Sequence, residues 1–503
     1  MKTFSLFAAT SRQSVARRAF ESLAATLCLI LFVGVLSAQE YKEANVDESL
    51  ASQKSSVIGS GDSAQIKEFL TKYYLARWTV RANGRDLSKY RTELEQDAVE
   101  LSGDAQTKFL QEIVGVLKSY AGSSSCYPAC RYNAALTIGT LNISNEGGKD
   151  GLPKPYPDAI TVLAKFCTTS SDVPDYIRYA GLIGLVRHAQ CGIEDAKYQS
   201  GVKSVFAKVL DPKYAVDNNI RDEIYECFAE EAITGLASFK SPTGTKGGTG
   251  TLDLFRKTIE DKNASFELRC IAAKALGDMD LSSLKNYDYA GLAKSLVTLA
   301  RDFCVEESSY IDSELVRDQV KSASNSMTGG GMGGSGMGGG MSGGMGGMDM
   351  SGGMGGSGMG GSGMGGGMNG GMNGTIQNQK SMEAIVARVQ YGFECIRRAI
   401  SGSVKVKKGE TNAFGILSKF DEKDEKQAET IQMLKDALTE FESTNTFVKE
   451  GPKSANAYGG MTGMTGMGMT GYSTLNVDAN SMKDHLLEKK IRFNELLGIN
   501  SYR

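Results

Sequence analysis

Residues 131–141 read RYNAALTIGTL, and the pattern returns as RYAGLIGLV from Arg178 and as RCIAAKALG from Arg269. The copies share a small residue three positions after the arginine and an apolar residue seven positions after it: Ala134 and Ile138, Gly181 and Leu185, Ala272 and Leu276. This spacing predicts a helix whose small-residue face allows a neighbouring helix to pack closely. A degenerate copy, IYECFAEEAITGL from Ile224, fills the wider gap, so the period is about 47 residues. A repeat of this length predicts an array of helix pairs.

A first helix is predicted ahead of each of these second helices, because apolar residues recur there at spacings of three and four. These first helices are expected around residues 109–120, 160–167, 202–210 and 252–259, and again from Leu292. At the start of the array, Asp62 is expected to cap a helix whose broad apolar face closes the core, with Gln65 completing a capping box. No convincing alternating strand is visible, so an all-α fold is predicted.

The alternation of first helices with second helices that read roughly R-x-x-A-x-x-x-L-G resembles HEAT repeats. Arg131, Arg178 and Arg269 match the arginine of that pattern, and Gly139 and Gly277 match its glycine. The resemblance covers about residues 64–320, and 380–441 is a possible continuation. It implies an α-solenoid over residues 62–320 with further helical pairs at 376–450. It also implies a scaffold that holds other proteins on a curved surface.

The N-terminal 38 residues are predicted to be an export signal. Arg12, Arg17 and Arg18 precede an apolar run, Leu23–Leu36, and the small residues Ser37 and Ala38 follow it. An uncleaved N-terminal anchor is the alternative. The mature chain is otherwise expected to have no membrane span and to reside in the periplasm, the cell envelope or the extracellular space. Residues 39–61 are predicted to be a flexible leader, since they are polar and show no period.

Two segments are rich in glycine and methionine. The chain has 61 glycines, many of them between Gly329 and Gly374, and glycine at this density predicts a disordered insertion at 321–375. A shorter linker of the same kind is expected at 451–474, before a C-terminal helix within 475–503. Thioether sulfur is a soft ligand for Cu(I), so copper binding is one alternative function, with two candidate methionine groups: Met345, Met348 and Met350, and Met464, Met467 and Met469.

Eight cysteines remain after the predicted signal: Cys126, Cys130, Cys167, Cys191, Cys227, Cys270, Cys304 and Cys395. An even number in an exported protein allows disulfides, and Cys130–Cys167 or Cys270–Cys304 would join neighbouring helices. Burial as free thiols at helix interfaces is the alternative. Cys126 and Cys130, in CYPAC, could flank a helix start, but the sequence offers no further ligands for a metal or redox site there.

The residues for catalysis are sparse. Only His188 and His485 are present, and His188 is expected to place a positive charge near a helix C-terminus. No G-x-x-x-x-G-K-[ST] phosphate loop occurs, and the net charge of −2 argues against a nucleic-acid partner. We therefore expect a protein-binding scaffold that is not an enzyme and has no catalytic, cofactor or metal site. A Cu(I)-binding protein and an enzyme on a helical-repeat fold are the alternatives.

Overall fold

The computed structural model describes residues 41–168, 173–244, 250–328, 373–403, 414–451 and 477–499, with the side chains of 318–328 and 373–381 excepted. The described chain is predominantly helical. It divides into two compact units, Met1–Asp222 and Glu223–Arg503. The predicted signal at 1–38, the core of the Gly-Met insertion at 329–372 and nearly all of the 451–474 linker lie outside the described residues.

The first unit begins with ordered chain where a flexible leader was expected. A 3-10 helix, Glu48–Gln53, follows the side-chain cap of Asp47 and leads into α1, Lys54–Gly59. The backbone of this segment is tied to the rest of the unit, since Lys42 N donates to Ser125 O and Asp47 N donates to Lys72 O. The prediction for residues 41–61 is therefore wrong: backbone pairing with distant segments orders a sequence that has no period of its own.

The next helices close one end of the first unit's core. The Asp62 carboxylate accepts from Ala64 N and Gln65 N at the start of α2, Ser63–Phe69, as the sequence predicts for the cap. The predicted capping box with Gln65 does not form, because Asp62 N donates to Ser60 Oγ instead. A π-helical turn, Leu70–Tyr74, and α3, Ala76–Thr79, continue it. The large side chains at 66, 69, 70, 74 and 78 are buried, which confirms the predicted core-closing face. Helix α4 spans Leu87–Glu100.

Two helix pairs follow. The first is α5, Gly103–Gly122, with α6, Pro128–Thr140, and the second is α7, Ala159–Thr168, with α8, Asp175–Cys191. In each pair the first helix packs on the second, and α6 also packs directly on α8. Helices α9, Ala196–Val209, and α10, Lys213–Asp217, end the unit.

A short β-hairpin connects these two pairs. Strand β1, Asn142–Ser144, pairs antiparallel with β2, Lys154–Pro155. The expectation of no strand is wrong here, because strands of three and two residues are too short to show the alternation by which a strand is recognised in sequence.

The second unit repeats the paired arrangement. Its helices are α11, Asp222–Ser238; α12, Gly250–Glu260; α13, Phe266–Gly277; α14, Tyr289–Thr328; α15, Asn373–Ser401; α16, Glu425–Glu450; and α17, Ala479–Leu496. Helix α12 packs on α13, α14 packs on α15, and α13 packs directly on α15. The helices before and after the Gly-Met segment are thus neighbours. Helix α14 extends to Thr328, past the predicted insertion boundary at 321, because no glycine or proline follows Gly291 in its first turn until Gly329.

The C-terminal helix docks within this unit. Helix α17 lies along α14 and buries Met482, Leu486 and Phe493. The Phe493 ring centroid is 5.8 Å from that of Phe441 and 6.4 Å from that of Phe393. Among the helices of the described ranges, none combines the length and the apolar character that crossing a bilayer requires.

Candidate functional site

The repeat arginines join each second helix to the first helix before it. Arg131 Nε donates to Ala121 O at 3.0 Å, near the end of α5, and Arg269 Nε donates to Ile259 O at 2.8 Å, near the end of α12. In the second pair, Arg178 Nη1 donates to Cys167 O at 3.3 Å, near the end of α7. The last carbonyls of a helix have no intrahelical donors and form the negative end of its dipole. The repeat arginine therefore has a structural role, which accounts for its recurrence in the sequence pattern.

The repeat glycines allow second helices to approach each other closely. A Cβ placed on Gly139 of α6 would lie 2.6 Å from Gly184 Cα of α8. In the second unit, a Cβ on Gly277 of α13 would lie 2.3 Å from Arg398 O of α15. These distances are too short for any side chain, so the two backbones can be in contact only with glycine at these positions.

A surface strip remains where the second helices of the first unit are half-exposed. The residues one and five positions after each repeat arginine are Tyr132 and Leu136 on α6, and Tyr179 and Ile183 on α8. All four are partly accessible, whereas the positions three, four and seven after the arginine are buried. We call these four residues the second-helix strip. Aromatic and apolar side chains in equivalent places on adjacent helices suit contact with another protein.

The first unit also contains a cavity of about 570 Å³. Its walls come from the β1–β2 connection, the N-terminal end of α7, the C-terminal end of α8 and the start of α9. The apolar lining includes Ile160, Ile193 and Tyr198, and the polar lining includes Lys149, Lys154, His188, Glu194 and Asp195. Pockets of this size commonly hold small molecules.

His188 is the buried polar group of this cavity. Its side chain is only 2% exposed, and its Nε2 has no hydrogen-bond partner among the described residues. Burial, with Arg187 beside it, lowers the pKa of His188 to about 3. The imidazole is therefore neutral near pH 7, and the expectation that His188 supplies a positive charge at the end of α8 is wrong. The neighbouring Arg187 instead places its charge at the end of α6, where its Nη1 donates to Gly139 O at 3.1 Å.

The charged groups that line the cavity are balanced, with two lysines, Lys149 and Lys154, and two carboxylates, Glu194 and Asp195. Lys154 Nζ lies 3.3 Å from Glu194 Oε1, and the Asp195 carboxylate caps α9 by accepting from Lys197 N at 2.7 Å. The side chain of Lys149 lies over Gly192, which has a φ of +92° and would bring an added Cβ within 3.1 Å of Lys149 Cβ. Both acidic groups of the lining thus have partners within the protein.

The second histidine lies in the other unit and is also uncharged near neutral pH. The His485 ring stacks on Phe447 with centroids 4.0 Å apart, and its Nε2 is 3.1 Å from Thr444 Oγ1. Burial lowers its pKa to about 4. His485 therefore has a packing role between α16 and α17, away from any cluster of nucleophiles.

All eight cysteines of the described chain are free thiols, and only Cys227 is exposed. Neither candidate disulfide, Cys130–Cys167 or Cys270–Cys304, forms, and the Cys167 thiol instead donates to Arg178 O at 3.6 Å. Cys126 and Cys130 do flank the start of α6. A hydrogen bond with the Cys130 thiol lowers the pKa of Cys126 to about 7, with smaller contributions from a hydrogen bond with Ser123 and from the charge of Arg131. This pair has the elements of a reactive thiol, but Cys126 is only 6% exposed.

Over the described ranges, no group of three or more histidine, cysteine, aspartate or glutamate residues could hold a metal ion. The six methionines considered for Cu(I) binding lie outside those ranges. No protein-family model matches the chain, and neither a curated protein nor a solved structure shows significant similarity to it.

Proposed function

We propose that the protein is an exported, non-catalytic scaffold of HEAT-like helix pairs that binds another protein through the partly accessible sides of its second helices. The observation that carries this proposal is the second-helix strip, in which Tyr132 and Leu136 are repeated by Tyr179 and Ile183 on the adjacent helix. A repeated surface of this kind offers one partner several equivalent contacts. Export is proposed from the basic and apolar pattern of residues 12–38.

The packing within each unit supports the solenoid part of the proposal. Second helices contact each other directly, α6 on α8 and α13 on α15, and first helices pack behind them. The arginine and the glycine of the repeat make equivalent contacts in the two units. A stack in which each pair contacts only its neighbours is the arrangement by which helical repeats form extended binding surfaces.

Capture of partners tests the proposal. The chain from residue 39 onward and the same chain without residues 327–374 are immobilised and exposed to envelope and secreted fractions of the source, and retained proteins are identified by mass spectrometry. We expect one dominant protein on both. Retention only by the chain with 327–374 would move recognition to the Gly-Met segment, and retention of nothing would contradict the scaffold. In either case, Cu(I) titration of the same two proteins tests the copper-binding alternative.

A further inference from the structure

Two thiols meet at the start of α6. Cys126 lies just before the helix and Cys130 lies in its first turn, and the two side chains share a hydrogen bond. Both are free thiols in the structure. Other thiols have different partners, since Cys167 donates to Arg178 O. A covalent bond between Cys126 and Cys130 therefore joins side chains that are already in contact and brings no distant segments together.

The surroundings distinguish the two sulfurs. Cys126 precedes the first residue of α6 and lies at the positive end of the helix dipole, which favours a thiolate. The hydrogen bond with Cys130, followed by that with Ser123 and the charge of Arg131, lowers the pKa of Cys126 to about 7. The same contact, followed by burial, raises the pKa of Cys130. Cys126 is therefore the thiol that ionises first.

The pair lies just beneath the surface. Cys126 is 6% exposed and Cys130 is fully buried, while Ser124 before them and Pro128 and Ala129 between them are exposed. We propose that Cys126 and Cys130 are a redox-active dithiol, which a small organic disulfide oxidises to an intramolecular disulfide. The proposal takes its oxidising compartment from the export part of the proposed function, and it is otherwise independent of the scaffold.

The oxidation takes two thiol–disulfide exchange steps. In the first, the Cys126 thiolate attacks one sulfur of the oxidant RSSR, a Cys126–SR bond forms, the S–S bond of the oxidant breaks and RS⁻ leaves. In the second, Cys130 loses its proton and attacks Cys126 Sγ, the Cys126–SR bond breaks and another RS⁻ leaves. The two protons of the protein thiols end on the two RS⁻ groups. Two thiols thus become one disulfide, and one RSSR becomes two RSH.

Peptide mapping after equilibration with glutathione tests the proposal. The intact protein is reduced, freed of reductant and equilibrated near pH 7 with mixtures of oxidised and reduced glutathione. Free thiols are then blocked with N-ethylmaleimide, and tryptic peptides are analysed by mass spectrometry without reduction. Cleavage after Lys118 and Arg131 gives a peptide, 119–131, that contains Cys126 and Cys130 and no other cysteine. The exposed Cys227, alone in peptide 222–240, is the internal control.

We expect peptide 119–131 to lose two hydrogens and to take up no maleimide. The disulfide should exceed the dithiol at least about tenfold when oxidised and reduced glutathione are equal in concentration. Cys227 should instead carry glutathione, because its peptide has no second thiol to displace it. In Cys130→Ser the exchange should stop after its first step, with glutathione on Cys126, whereas in Cys126→Ser the thiol of Cys130 should stay free.

Three results would overturn the proposal. The first is a peptide 119–131 with two maleimides in a sample whose Cys227 carries glutathione. The second is glutathione retained on Cys126 of wild type, which would show that the two sulfurs do not close. The third is a folded Cys126→Ser protein in which Cys130 carries glutathione, which would remove Cys126 as the attacking thiol. The wild-type map decides the first two results even if a variant does not fold.

Export is tested separately from the thiol pair. The glutathione equilibration uses purified protein, so a pair that resists oxidation there contradicts the proposal and leaves export untouched. Protein isolated from the envelope and secreted fractions of the source, blocked with N-ethylmaleimide during lysis, should contain peptide 119–131 as the disulfide. A pair that oxidises with glutathione but is reduced in those fractions would contradict an oxidising compartment.

Discussion

At the scale of single residues, the buried His188 makes the stability of the protein depend on pH. Its pKa is about 3 in the folded state and about 6.5 in an unfolded chain. Above pH 6.5 both states carry a neutral imidazole, so the group contributes no pH dependence. As the pH falls below 6.5, the unfolded state binds a proton that the folded state does not. Stability is therefore lost between pH 6.5 and pH 3.

We predict that His188→Gln removes this acid sensitivity. Between pH 7 and pH 4 the wild-type free energy of unfolding should fall by about 3 kcal/mol more than that of the variant. Urea denaturation followed by circular dichroism at the two pH values measures the difference. His485→Gln is the matched control for the second depressed histidine. Parallel pH profiles for wild type and His188→Gln would contradict the buried, neutral state of His188.

Gly139 and Gly184 set the distance between α6 and α8. An added Cβ at Gly139 meets Gly184 Cα at 2.6 Å, so Gly139→Ala must push two backbones apart. We predict a loss of about 2 kcal/mol in the free energy of unfolding. Gly115→Ala is the control, because it lies inside α5 with nothing within 4 Å of its Cβ and should stabilise the helix by roughly 0.5–1 kcal/mol. Equal effects of the two substitutions would show that the helices are not in backbone contact.

At the scale of helices, Arg178 shows how the repeat arginine holds a pair together. Its side chain is buried, and it donates to Phe166 O, Cys167 O and Val173 O. We predict that Arg178→Met costs about 3 kcal/mol, because buried carbonyls at the end of α7 lose a charged donor. Arg131→Met should cost about 1 kcal/mol, since Arg131 is half-exposed. Denaturant unfolding of both variants measures the two losses in the free energy of unfolding. A loss for Arg178→Met no larger than that for Arg131→Met would contradict the role of Arg178 in capping α7.

The C-terminal helix buries an aromatic side chain, Phe493, in the second unit. Phe493 is fully buried against Phe441 and Phe393, whereas Ile491 on the same helix is 47% exposed. We predict that Phe493→Ala costs about 3–5 kcal/mol and that Ile491→Ala changes stability by less than about 0.5 kcal/mol. Thermal unfolding and limited proteolysis of the two variants measure this difference. Early cleavage within 479–496 of wild type would contradict docking of the helix.

The helices of the repeats could be predicted because the sequence carries their period and their arginine and glycine. The cap at Asp62 and the helix near Met482 could also be predicted, the first from its residue type and the second from its apolar period. The π turn at Leu70–Tyr74 and the two-residue strand Lys154–Pro155 were not predicted, since neither has a distinctive local pattern.

The cavity could not be predicted, because tertiary packing brings together a linker lysine, Lys149, and a helix histidine, His188. Their separation along the chain leaves no motif. The only sequence signal was the Gly- and Pro-rich stretch 147–157, which indicated a turn and said nothing of a pocket. The charge state of His188 could not be predicted either. It depends on how deeply the side chain is buried, and the helical period alone does not reveal that.

At the scale of the whole molecule, the proposed scaffold makes the second-helix strip the place where a partner binds. Leu136 and Ile183 occupy equivalent positions on adjacent helices and are both half-buried. Replacing them with glutamate adds charge to an apolar surface while the repeat arginines and glycines stay in place. Interface anchors of this kind contribute about 2 kcal/mol or more each, so the double substitution should abolish stable binding.

The most direct test compares three proteins in the same capture experiment: wild type, Leu136→Glu combined with Ile183→Glu, and Val216→Glu. Val216 is 81% exposed and lies outside the strip, so it controls for added charge, and circular dichroism confirms that each variant is folded. The account predicts that wild type and Val216→Glu retain the same dominant protein and that the double variant loses it. Retention of that protein by the folded double variant would contradict binding through the second helices.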